Sequence, residues 1–121
     1  MYHGAFLIAT KRVYDSPYEK DGFRVLVDRL WPRGMSKEKA RLDLWMKEVA
    51  PSNELRIWFS HEPEKWGEFK QKYIQELDAK QDLLSKIRQI EKEHGAVTLL
   101  YSTKDPERNN AAVLKATLEK K

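Results

Sequence analysis

Residues able to do chemistry gather in one short run, Val25-Leu26-Val27-Asp28-Arg29-Leu30-Trp31-Pro32-Arg33-Gly34. Three aliphatic residues lead directly into an acid, two arginines and an indole. A guanidinium presents a planar fork that grips two oxygens of a carboxylate or phosphate at once. Arg29 and Arg33 flank Trp31, and Arg56 stands beside Trp58. Arg29, Trp31, Arg33 and Arg56 are therefore candidate anion-binding residues. The competing account pairs Arg29 or Arg33 with Asp28 to lock the turn, although Arg33 has no acid close in sequence.

A second candidate is Ser102-Thr103-Lys104, which leaves an apolar run and leads toward a helix start. Backbone N–H groups at a helix start favour anions, and Ser102 and Lys104 would add a hydroxyl and a charge. The glycines of a Walker loop are missing, so binding of nucleoside triphosphates by that motif is not expected. Imidazole is the side chain suited to acid–base work near neutral pH, so His61, with Asp28, forms a candidate acid–base pair. A lone histidine also serves as a structural cap, here for the helix beginning at Pro63. Ser102, His61 and Asp28 do not make a persuasive triad, because no nucleophile-elbow pattern surrounds the serine. With three histidines and no cysteine, neither a transition-metal site nor a cofactor is expected.

These residues need a scaffold. Val25–Val27 and Val97–Leu100 are apolar on both faces, as strands inside a parallel sheet are. Open α/β sheets place ligands beyond the carboxyl ends of such strands, where both charged runs begin. A first strand is expected over Ala5–Ala9, extending toward Val13, a second over Phe23–Asp28 and a third over Leu42–Met46. Ser36 can cap a helical turn through Lys37–Ala40, and Ser52 a short helix bearing Leu55, Trp58 and Phe59. Pro63 opens the clearest helix, where Trp66, Phe69, Tyr73, Ile74 and Leu77 form one apolar face, read as core packing and not as a stacking platform. The next helix carries Leu83, Leu84, Ile87 and Ile90 and ends at Gly95. The last strand is Ala96–Tyr101, and Asn109 or Asn110 caps a final helix with Val113, Leu114 and Leu118. Short spacing between the first two strands argues against their being parallel neighbours.

The 121 residues read as one domain, 1–121, large enough for a real core. No apolar run could span a bilayer, and no secretory leader is evident, so a cytoplasmic location is expected. Absence of cysteine removes disulfides and thiolate catalysis. The net charge of +4 comes from 23 basic against 19 acidic residues, a surplus small enough to describe a solvated mixed-charge surface.

Val25–Gly34, Ala50-Pro51-Ser52, Leu55-Arg56, Trp58-Phe59-Ser60-His61 and Leu99–Asp105 together resemble the YeaO-like family, a domain of unknown function. The resemblance covers nearly the whole chain. It implies a compact α/β domain and brings no reaction with it. Longer relatives tend to carry a cysteine in the loop after the last strand; here that loop reads Tyr101-Ser102-Thr103, which removes any thiol-based expectation.

The expectation is an α/β protein, a single layered domain with a small, mainly parallel sheet flanked by helices. It would bind a small anionic ligand through Arg29, Arg33, Arg56 and Lys104, with Asp28 and His61 as the acid–base pair. Two rivals are a nucleic-acid-binding module, suggested by the basic pI, and a non-catalytic interaction protein anchored by Trp45 or Trp58.

Overall fold

A computed structural model describes residues 7–120 of the chain. His3, Ala5 and Phe6 lie outside the described residues. Four strands, β1 (Leu7–Arg12), β2 (Phe23–Leu26), β3 (Leu44–Trp45) and β4 (Ala96–Tyr101), form one sheet in the order β1-β4-β2-β3. Every pairing is parallel. Five helices accompany them: α1 (Lys37–Ala40), α2 (Asn53–Phe59), α3 (Trp66–Asp78), α4 (Gln81–His94) and α5 (Asn110–Glu119). This is an α/β fold. Among the described residues no helix is long and apolar enough to cross a membrane.

The first two strands are parallel but not neighbours, because β4 inserts between them. Val25 opposes Leu99 and Leu26 opposes Leu100 across the β2–β4 pair, and all four are fully buried. Successive residues serve opposite faces. Val25, Val27, Val97, Leu99 and Tyr101 join the main core with Phe69, Tyr73, Leu84, Ile87 and Leu114. Leu26 and Leu100 join Val13 and Ala40 in a smaller core on the other face, covered by Trp31, Met35, Leu42 and Trp45. Each buried aliphatic side chain contributes about 1.5–3 kcal/mol of transfer free energy.

On that second face Asp21 and Arg24 form a buried ion pair, joined by Lys11 at 3.1 Å. Arg24 also donates to the Ala40 carbonyl at 2.8 Å and to that of Arg41 at 3.1 Å, so one side chain ties β2 to the end of α1. Gly22, at φ 67°, lies so close to β4 that an added Cβ would sit 2.5 Å from the Ala96 carbonyl oxygen.

Local signals fix the helix ends. The hydroxyls of Ser36 and Ser52 accept from the backbone N–H of Lys39 and Leu55, both at 3.1 Å, and Asn109 caps α5 through Ala112 at 2.8 Å. Gly95 ends α4 in the left-handed region at φ 80°. The third strand is shorter than Leu42–Met46, since Leu42 turns into the smaller core and Met46 into the main one. The second strand stops at Leu26, although Val27 N–H still donates to the Leu100 carbonyl at 3.0 Å. A short 3₁₀ turn, Pro63–Lys65, precedes α3.

Candidate functional site

All strands run the same way, so their carboxyl ends share one edge. Arg12 ends β1, Asp28 follows β2 by two residues and Ser102 follows β4. A cavity of about 920 Å³ opens there, floored by these strand exits and walled by α2, the start of α3 and the first residues of α5. Asp28, Arg29, Trp31, Arg33, Arg56, His61, Ser102 and Lys104 all line it. Residues up to 76 positions apart in sequence are brought together by the parallel order of β2 and β4.

Asp28 anchors the floor. Its Oδ2 accepts from the Ser102 backbone N–H at 3.0 Å and from the Ser102 hydroxyl at 2.8 Å. Trp45 Nε1 donates to the Asp28 carbonyl at 2.8 Å, fixing the same residue from the other side. Burial pushes the Asp28 carboxyl above its ordinary range, outweighing the hydrogen bonds from Ser102 and Asn110 and the nearby charge of His61. Asn110, in the first turn of α5, donates to the Val27 carbonyl at 2.9 Å and so docks that helix onto the exit of β2.

The cations are held differently from one another. Arg29 donates to the carbonyls of Pro51 at 3.1 Å and Ala50 at 3.4 Å, not to Asp28. Ser52, the next residue, is gripped by the Glu76 carboxylate, which accepts from its N–H at 2.8 Å and its hydroxyl at 2.6 Å. Arg56 donates to the Asn53 side-chain oxygen at 2.6 Å. Arg33 is exposed, and its own carbonyl accepts from the Tyr14 hydroxyl at 2.8 Å. Six cationic side chains, including Arg12 and Arg108, face two carboxylates, Asp28 and Asp105, across the cavity wall. Only Arg108 has an acidic partner, Asp105 at 3.5 Å; among the described residues Arg12, Arg29, Arg33, Arg56 and Lys104 form no ion pair.

His61 and Ser60 stand on the turn after α2, both in the left-handed region at φ 57° and 47°. Each such non-glycine residue costs on the order of 1–3 kcal/mol unless its surroundings impose it. The turn is imposed by Ser60 N–H donating to the Arg56 carbonyl at 3.1 Å and Glu62 N–H to that of Phe59 at 3.0 Å. His61 makes no side-chain cap to the turn at Pro63, where Glu62 is the flanking residue. No cluster of three or more potential metal ligands occurs among the described residues.

Sequence reasoning missed Arg12 and Trp66. Arg12 donates through Nε and a terminal nitrogen to the Ser102 carbonyl at 3.2 and 3.0 Å, and through Nε to that of Thr103 at 3.0 Å. The expected extension of the first strand toward Val13 puts Arg12 at this edge, although its role there was not drawn from the sequence. Trp66 begins the apolar stripe of α3, but only Phe69, Tyr73 and Leu77 are buried; Trp66 is half-buried and lines the cavity. Trp45 and Trp58 are also half-buried, and the latter lies beneath the ammonium groups of Lys65 and Lys72, each 5.0 Å from its ring.

A family model described as "Inactive DUF488-N3 subclade" matches residues 7–121. The chain is 44% identical over 107 residues to the uncharacterized protein YeaO of Escherichia coli K12, covering 88% of this chain and 92% of that one. It is 41% identical over 107 residues to the uncharacterized protein Rv3073c of Mycobacterium tuberculosis H37Rv, covering 88% and 89%. No solved structure matches the chain significantly.

Proposed function

Since the chain belongs to the YeaO-like family, within the subclade described as inactive, we propose that it binds a small phosphate- or carboxylate-bearing ligand without transforming it. One observation carries this reading. Five cationic side chains with no acidic partner among the described residues share one cavity wall at the carboxyl edge of the sheet. Like charges gathered there repel one another, and an anion bound among them relieves that repulsion. Arg33 and Lys104 supply the contacts, being exposed and unpaired, while Arg12 and Arg29 hold the loops that present them.

Binding without turnover also fits the state of the acid–base candidates. Oδ2 of Asp28 accepts two hydrogen bonds from Ser102, so the carboxylate acts as a clamp between strand exits. His61 would then be a polar contact for the ligand on the opposite wall.

Calorimetric titration with inorganic phosphate tests the reading. A single site is expected, weakened roughly ten-fold or more by Arg33→Ala or by Lys104→Ala, the scale of one charge-assisted hydrogen bond. Lys86→Ala, on the exposed face of α4, should leave it unchanged. Absence of binding to the native chain, or equal affinity in all three variants, would overturn it. A nucleic-acid-binding module would instead prefer long polyanions and lose affinity steeply with salt.

A further inference from the structure

We propose that the ligand carries an aromatic ring in addition to its acidic group, as an aryl phosphate, an aromatic carboxylate or a nucleoside monophosphate does. The inference rests on the anion-binding reading of the same cavity and concerns the other half of its wall. At about 920 Å³ the space is far larger than a bare oxyanion needs and falls in the range of organic-ligand sites.

The two halves of the wall differ in chemistry. Arg33 and Lys104 come from the loops leaving β2 and β4, whereas α2 and the start of α3 contribute rings. Phe59 lies 5.9 Å from His61, 5.9 Å from Trp66 and 4.5 Å from Phe69, centroid to centroid, so four rings form one continuous surface. Phe69 is buried behind it, but Phe59 and Trp66 are only half-buried and keep area open to the cavity. Apolar rings left open on a cationic pocket wall match a flat ring on an anion. Stacking of an aromatic ligand on such side chains is tolerant of ring identity, which leaves the kind of ring to experiment.

The test is calorimetric competition among inorganic phosphate, ribose 5-phosphate, phenyl phosphate, phenylacetate and adenosine monophosphate. Phenyl phosphate or adenosine monophosphate should bind roughly ten-fold or more tightly than ribose 5-phosphate, the scale of one stacked ring. Phenylacetate binding best among them would support a carboxylate as the source of the charge. Phe59→Leu and Trp66→Leu keep an apolar side chain while removing a ring; each should erase the aromatic preference and leave phosphate affinity intact, with a cooperative thermal transition showing that the fold persists. Equal affinity for ribose 5-phosphate and the aromatic phosphates, or a preference unchanged in both variants, would overturn the inference while leaving the anion site standing. Failure of every probe to bind would overturn both.

Discussion

Asp28 and Ser102 are joined by two hydrogen bonds to one carboxylate oxygen, 3.0 Å from the backbone N–H and 2.8 Å from the hydroxyl. The pair ties the exits of the two central strands, from which Arg33 and Lys104 extend. Asp28→Ala strips both donors of their acceptor and should cost about 1–3 kcal/mol in denaturant unfolding. Asp28→Asn keeps an acceptor and should cost less.

Neither variant titrates at this position, so both also differ from the native chain in their pH dependence. Burial raises the Asp28 carboxyl above its ordinary value of 3.8. The folded state therefore holds this proton more tightly than the unfolded state, and ionisation of Asp28 lowers stability as pH climbs from 3.8 through the raised value. Asn in its place removes that loss. The stability of Asp28→Asn relative to the native chain should thus improve from acidic to neutral pH, which thermal melts across the range would show. A relative stability falling with pH would mean that the carboxylate charge stabilises the fold.

Asp21 has the opposite sign. Burial tends to raise its carboxyl, but hydrogen bonds from the Tyr18 backbone N–H, Lys11 and Arg24 prevail and hold it below the ordinary 3.8. Its contribution is complete above 3.8 and is lost as pH falls through the lowered value. Asp21→Asn should flatten the acid limb of the stability profile. Arg24→Ala leaves Asp21 with Lys11 and the Tyr18 N–H but removes its buried partner and the ties to Ala40 and Arg41, and should cost about 1–3 kcal/mol.

The sheet itself makes a sharper demand at Gly22. A methyl group there would meet the Ala96 carbonyl oxygen at 2.5 Å, and the φ of 67° disfavours any side chain. Gly22→Ala should destabilise the chain by more than about 1 kcal/mol and loosen the β2–β4 edge, seen as faster amide exchange at Val97.

In the main core, Phe69→Ala should cost about 3–5 kcal/mol, since the ring is 4% exposed. Val27→Asp, at a fully buried position, should cost several kcal/mol because the charge has neither water nor a partner. A folded Val27→Asp variant of near-native stability would mean that β2 is not an inner strand.

What was legible in the sequence was local or two-sided. Val25–Val27 and Val97–Leu100 read as inner strands because both of their faces are apolar, and Ser52, the Asn109-Asn110 pair (of which Asn109 is the cap) and Gly95 marked helix ends through chemistry confined to a few residues. The parallel-sheet rule then pointed to one edge for Asp28, Arg33 and Lys104. Non-local pairing was legible in part. The short connection argued that the first two strands are not parallel neighbours, and the two runs apolar on both faces argued for adjacent inner strands. Nothing in residues 7–28 places β1 on the far side of β4, and that pairing is what carries Arg12 to the cavity. Helical period likewise identifies the stripe from Trp66 to Leu77 but not where its cover ends: Trp66 packs against the core as read and also stands at the cavity wall.

Amide chemical-shift mapping during a phosphate titration tests the central claim most directly. The account predicts saturable shifts confined to the cavity wall, with the largest at Arg33, His61 and Ser102 through Lys104, and saturation at roughly ten-fold or more higher phosphate in Arg33→Ala. Shifts spread over the lysines of α3 and α4, or none at the strand exits, would contradict it.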